Sequence, residues 1–316
     1  MLGVHTVGIE SNHDTCNTRL AAGLPTVMGD VRKYGPANFP NAKGLIASPP
    51  CQSFTIAGKG TGRRALDAVL TLVSRLADRL PIDLSAFDDE RTGLVLEPLR
   101  WALEAIDAGT PFEWLAFEQV PEVLPVWQVM AEALRSEGYS VATGNLQAEQ
   151  YGVPQTRKRA ILIARRQGTV ALPAPTHVTP VSMAEANGWA RDDLVGFPRR
   201  ADGRETVTIG GVEYRARDLR PASRPAFALT EKARSWSRFA ADGVHRVTLP
   251  EATALQTFPR DYPWRGARTS QFLQVANAIP PRMAEAILLC AARPEWVEKP
   301  AAVQLSMFDL FQDGAA

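Results

Sequence analysis

Four short apolar runs, Val4 to Ile9, Leu45 to Ala47, Leu115 to Phe117 and Ala160 to Ala164, are separated by stretches with helical spacing. Runs this short, bounded by turn residues and alternating with helices, predict a mainly parallel sheet with crossover helices, an α/β fold. Leu66 to Leu80, Leu94 to Ala108 and Val126 to Glu137 carry apolar residues at three- and four-residue intervals, and Gly138 stands at the cap position of the third. From about Gln167 to His245 the periodicity fades and Pro, Arg, Gly and Asp rise, which reads as an inserted small domain. Helical pattern returns over Thr248 to Phe258 and Met283 to Ala292, and Thr248 with Glu251 has the spacing of a capping box. The expected division is 1–166 for the main domain, 167–245 for the insert, 246–298 for the return and 299–316 for a flexible tail.

Composition narrows the function classes. Lys and Arg number 35 against 34 Asp and Glu, so any nucleic-acid surface must come from local sorting of charge. Cys16, Cys51 and Cys290 are scattered, without CxxC spacing, which argues against a zinc site and a disulfide framework and for a reducing cytoplasm. No metal is expected. No run of about 18 apolar residues suggests a membrane span, and the start lacks the layout of a signal peptide.

The chemistry concentrates at the ends of the predicted strands. Pro49 and Pro50 stiffen the loop after Leu45 to Ala47 and present the Cys51 thiol at a set angle, followed by Gln52 and Ser53. Glu118 follows Leu115 to Phe117, so its carboxylate lies at the same carboxyl edge of the sheet, where open α/β sheets bind ligands. A thiol beside a carboxylate suits addition to an electron-poor ring that the carboxylate polarises or protonates. Strand alternation places Gln155, Arg157 and Arg159 on one side, a polar ladder suited to a carbonyl oxygen.

In order, Pro50-Cys51-Gln52, Glu118-Gln119-Val120, the Gln155, Arg157, Arg159 element, Arg246 through Pro259 and Ala276-Asn277-Ala278-Ile279 resemble the motifs of the DNA cytosine-5 methyltransferases over most of the chain. The resemblance implies a Rossmann-like, S-adenosylmethionine-dependent methyltransferase fold with the insert as target-recognition domain. It implies duplex DNA as substrate and a cytosine flipped out of the helix. Cys51 is then the nucleophile toward carbon 6, Glu118 the group at ring nitrogen 3, and Arg159 with Arg157 the holders of the carbonyl oxygen. S-adenosylmethionine falls to Glu10, Asp30, Pro50, Asn277 and Ala278, and DNA contacts to Gln52, Ser53 and Gln155. A partner restriction endonuclease belongs to the same expectation.

This chain departs from the family pattern in three places. Gln119 stands for the usual Asn and Ala276 for the usual Gly. The first strand and its Phe-x-Gly-x-Gly loop are missing ahead of Val4 to Ile9, which leaves two sheet edges facing a gap. The expectation is a start lying upstream; a truncated, silent DNA-binding remnant or one part of a split enzyme are the alternatives. A tRNA methyltransferase is a third reading, without the Cys-Phe-Thr tripeptide expected of it. The tail Gln304-Leu305-Ser306-Met307-Phe308 resembles a peptide that docks on the bacterial replication sliding clamp through Gln304, Leu305, Met307 and Phe308.

Overall fold

A computed structural model describes residues 5–50, 61–84, 87, 89–202 and 205–292. Strand β1 (Gly8–Glu10) leads through helix α1 (His13–Ala21) into β2 (Thr26–Met28), and β3 (Gly44–Ala47) is separated from β4 (Trp114–Gln119) by α2 (Thr61–Ala77) and α3 (Glu97–Asp107). Helix α4 (Leu124–Ser136), β5 (Ser140–Gln147), β6 (Gln155–Thr156) and β7 (Lys158–Arg165) complete the first part.

The main sheet has the order β3-β4-β7-β5, with β3 parallel to β4 and β7 antiparallel to both its neighbours. The mainly parallel expectation therefore holds with one reversed strand. The reversal follows from chain length: β5 and β7 are joined by a short connection without a crossover helix, and such a connection can only return the chain antiparallel. Strand β5 escapes the sequence reading because Ser140, Thr143, Gly144, Asn145 and Gln147 break any apolar alternation.

Alternation along β4 and β7 sorts the core into two layers. Leu115, Phe117, Leu162 and Ala164 face a cluster with Leu99, Leu103, Val126, Trp127, Met130 and Leu134 of α3 and α4. Ala116, Ile161 and Ile163 face the opposite layer, where Met283, Ile287 and Ala291 of α8 (Pro281–Ala292) pack. Gly138 takes φ +85° after α4 and its amide caps Arg135 O at 3.0 Å, the expected stop.

Strands β1 and β2 form a parallel two-stranded sheet of their own, and β3 is an edge strand of the main sheet. Ile9 nevertheless packs on the same core layer as Leu45 and Ala47, while Ile46 is 41% exposed.

The insert is more regular than its composition suggests. Helix α5 (Met183–Asn187) precedes β8 (Leu194–Gly196), the hairpin β9 (Thr206–Ile209) and β10 (Val212–Arg215), β11 (Leu219–Pro221), β12 (Ala226–Phe227), β13 (Ser237–Ala240) and β14 (Gly243–Arg246). Four of these strands make an antiparallel sheet in the order β11-β8-β13-β14. Its core, with Met183, Trp189, Val195 and Trp236, continues into Leu255 of α6 (Leu249–Leu255) and Phe272 of α7 (Arg268–Asn277). Packing thus assigns α6 and α7 to the lobe and returns only α8 to the main sheet. Thr248 and Glu251 form the capping box that starts α6. Among the described residues no helix is long and apolar enough to cross a membrane.

Candidate active site

Strand register brings the site together. Ala47 of β3 pairs with Phe117 of β4, so one residue further on Ser48 meets Glu118, and Ser48 Oγ donates to Glu118 Oε2 at 2.6 Å. Glu118 stands opposite Ile161 in the β4–β7 ladder, and Arg159, two residues along β7, shares its face as a diagonal neighbour. Arg159 Nε lies 2.8 Å from Glu118 Oε1. The carboxylate is 5% exposed, and a charge so buried requires a partner of this kind. The ion pair is close but not aligned, because Glu118 Oε1 accepts no directed hydrogen bond among the described residues.

Gln119 explains how the neighbouring loop is held. Its Nε2 donates to Pro49 O at 2.5 Å and its Oε1 accepts from the Val120 amide at 2.5 Å. The extra methylene relative to Asn gives this bridge its reach. Two consecutive residues at the end of β4 therefore grip Ser48 and Pro49, the residues that lead through Pro50 to Cys51. Cys51, Gln52 and Ser53 lie outside the described residues, as do Gln304, Leu305, Met307 and Phe308.

The polar ladder divides. Arg159 faces Glu118, whereas Arg157, 3% exposed, donates through Nη1 to Ala276 O at 2.8 Å. Gln155 is fully buried: Nε2 donates to Leu255 O at 3.2 Å and to Gln256 Oε1, and Oε1 accepts from the Leu229 amide at 2.9 Å. Both donors of that amide serve protein acceptors, so the structure gives Gln155 a joining role where a substrate contact was expected. The expected ladder is interrupted: β6, which pairs with β12, ends at Thr156 and β7 begins at Lys158, so Gln155, Arg157 and Arg159 meet different partners.

The expected cofactor residues sit at element ends. Glu10 closes β1 and accepts from the Asn12 amide at 2.7 Å. Asp30 caps the turn after β2, and Arg32 hydrogen bonds at 2.6 Å hold its carboxyl below the usual range. Asn277 is the last residue of α7, with an exposed side chain, and Ala278 follows it as the cap. Ala276 lies inside this helix, where Ala is as well suited as Gly. Glu10 and Asp30 offer acceptors at the carboxyl ends of two parallel strands and Asn277 an exposed amide at a helix end, group types that suit a ribose, an amino acid group and a purine edge. Ser48, Gln119 and Gln256 join the site without having been expected there as site residues, although Gln119 and Gln256 lie inside motifs of the resemblance and Ser48 directly precedes the double proline.

The sequence profile of the C-5 cytosine-specific DNA methylases matches residues 3–192 and 199–290. The chain belongs to that family. The DNA methylase is 28% identical to the Type II methyltransferase M.HgiDI of Herpetosiphon aurantiacus over 280 residues, 84% of this chain and 78% of the relative. It is 24% identical to the Type II methyltransferase M1.HphI of Haemophilus parahaemolyticus over 294 residues, 83% of this chain and 71% of the relative. Among solved structures, the Entamoeba histolytica methyltransferase EhMeth superposes with a TM-score of 0.59 at 10% identity, covering 90% of this chain and 88% of that one. The Schizosaccharomyces (S. pombe) Dnmt2 methyltransferase gives 0.57 at 15% identity, covering 89% of each. These likenesses establish the fold, and the family takes its methyl group from S-adenosylmethionine.

Proposed function

We propose that this methylase modifies carbon 5 of a cytosine in duplex DNA at a specific sequence, within a restriction–modification system, through Cys51. The observation that carries the reading is the Ser48–Glu118–Arg159 cluster at the strand ends from which Cys51 follows. A stacked cytosine hides its ring carbons, so the base enters the site flipped out. The Cys51 thiolate forms a bond to carbon 6 while Glu118 gives a proton to ring nitrogen 3, so that the electron pair gathers toward carbon 5. Arg159 holds the ring carbonyl and keeps the ring in plane with Glu118, and Arg157 supports it from the position before β7, where its Nη1 donates to Ala276 O. S-adenosylmethionine, held by Glu10, Asp30, Pro50, Asn277 and Ala278, supplies an electrophilic methyl group when bound. Water then takes the carbon 5 proton, its bonding pair reforms the ring double bond as the Cys51 sulfur leaves carbon 6, and Glu118 recovers the proton from ring nitrogen 3. Gln52 and Ser53 contact the DNA beside the flipped base.

Trapping tests this directly. A duplex carrying 5-fluorocytosine blocks the final proton loss, so the reading expects a covalent protein–DNA adduct at Cys51 by mass spectrometry and none with Cys51→Ala. Stable adducts on another residue, or methylation by Cys51→Ala, would overturn it.

The separation of β1–β2 from β3 favours one alternative, in which the chain is one part of a split methyltransferase and a second polypeptide contributes the strand beside the cofactor. Saturable binding of S-adenosylmethionine by this chain alone removes that alternative; methylation that appears only on adding the second polypeptide replaces the single-chain reading. The tail peptide supports docking on the sliding clamp. Gln304→Ala and Phe308→Ala variants that bind the clamp as well as the parent would refute this.

A further inference from the structure

Asn277 ends α7, and the last carbonyls of a helix have no partner within it. Here the carbonyls on either side of Asn277 are both engaged by buried side chains from elsewhere in the chain. Arg157 Nη1 donates to Ala276 O at 2.8 Å, and Gln256 Nε2 donates to Ala278 O at 2.5 Å. Gln256 is fully buried, and its Oε1 accepts from Gln155 Nε2. Gln155 in turn receives the Leu229 amide of the lobe at 2.9 Å. A continuous hydrogen-bonded chain thus runs from the lobe backbone through two buried amides to the peptide that follows Ala278.

The backbone next to Gln256 is unusual in the same place. Thr257 is buried and has φ +65°, a conformation that β-branched residues rarely adopt. Its Oγ1 accepts from the Arg282 amide at 3.4 Å, at the start of α8. Such a conformation persists where the surroundings over-determine it, and it tends to mark sites that need an exact orientation.

We propose that Gln256 is a positioning residue for the cofactor: acting with Gln155, it sets the orientation of the Asn277 turn, touching no substrate atom itself. The proposal rests on the reading of Asn277 and Ala278 as cofactor-binding residues. A helix end frays when its carbonyls are left to water, whereas here Arg157 holds the peptide that precedes Asn277 and Gln256 holds the one that follows Ala278, so the turn is fixed at both ends. Its exposed amide is then presented in one orientation. Binding to an ordered group avoids the cost of ordering it, so the effect belongs in cofactor affinity more than in the chemical step.

The test uses Gln256→Met, which keeps the side-chain volume, and Gln256→Asn, which keeps an amide but is too short to reach Ala278 O while meeting Gln155. Three readouts are compared with the parent: amide exchange across 276–280, affinity for S-adenosylhomocysteine by calorimetry, and steady-state kinetics with duplex DNA. We expect faster exchange at Ala278 and Ile279, an affinity about tenfold weaker, a raised KM for S-adenosylmethionine, and kcat and the KM for DNA within about twofold. Combining Gln155→Met with Gln256→Met should weaken affinity no more than the larger single change, because the two act as one chain. A role in stability alone would lower kcat through loss of active protein and leave both KM values in place. That outcome, or parent-like exchange and affinity in a folded variant, overturns the proposal. If the parent binds no cofactor and methylates no DNA, the cofactor reading fails by itself, and exchange at Ala278 and Ile279 still decides whether Gln256 orders the turn.

Discussion

Ser48 and Glu118, 70 positions apart in the chain, are joined by a 2.6 Å hydrogen bond from the serine hydroxyl to the buried carboxylate. The bond links the end of β3 to the end of β4, two residues before Pro50. A hydroxyl donating to a buried carboxyl oxygen contributes about 1 kcal/mol.

Removal of that hydroxyl should be felt in the chemical step. Ser48→Ala is expected to lower kcat about tenfold and the unfolding free energy by about 1 kcal/mol, and Glu118→Gln to lower kcat about a hundredfold or more. Transfer of tritiated methyl groups to duplex DNA measures both. A Ser48→Ala variant as fast as the parent would show that the bond does not orient Glu118.

Gln119 has a separate task. Restoring the family's residue with Gln119→Asn shortens the side chain by one methylene and should break its bond to Pro49 O, at a cost of about 1 kcal/mol. We expect a kcat reduced about fivefold and an unchanged unfolding midpoint. Full activity in this variant would mean that the loop leading to Cys51 is held by other contacts.

Trp127 anchors α4 to the main sheet. It is fully buried, its ring lies 5.8 Å from that of Phe117, and its indole donates to Ala160 O at 3.2 Å. Trp127→Ala should cost about 3–5 kcal/mol of stability, read from urea denaturation. A loss below about 1 kcal/mol would contradict the core assignment.

Glu285 on α8 should carry a pH signature. Burial pushes its carboxyl above the ordinary value of 4.5, with Arg282 opposing. An acid with a raised folded pKa holds its proton longer when folded, so stability falls as pH rises from about 4.5 through the folded pKa and levels off above it. Glu285→Gln should therefore raise Tm at pH 7, and the gain should vanish below pH 4.5. A gain that is constant over this range would assign the effect to packing.

Much of the fold was legible because its signals are local. Leu45 to Ala47, Leu115 to Phe117 and Ala160 to Ala164 are apolar runs within a few residues of the strands they predict, and Gly138 and the Thr248–Glu251 box act on their own helix ends. The lobe was visible only as a loss of pattern, since its strands are two to four residues long and too short for a period to show.

What the sequence determined by itself was the family, the residue types of the site and their attachment to particular strand ends, because motifs and periodicity are properties of neighbours along the chain. Tertiary structure alone decided that β7 runs against its neighbours, that Ser48 meets Glu118, and that Gln155 turns inward to Gln256 while Arg159 turns to the carboxylate. Each of those choices is a pairing between segments tens of residues apart. It is settled by which buried polar groups find partners once the layers close, a competition that no single stretch of sequence contains.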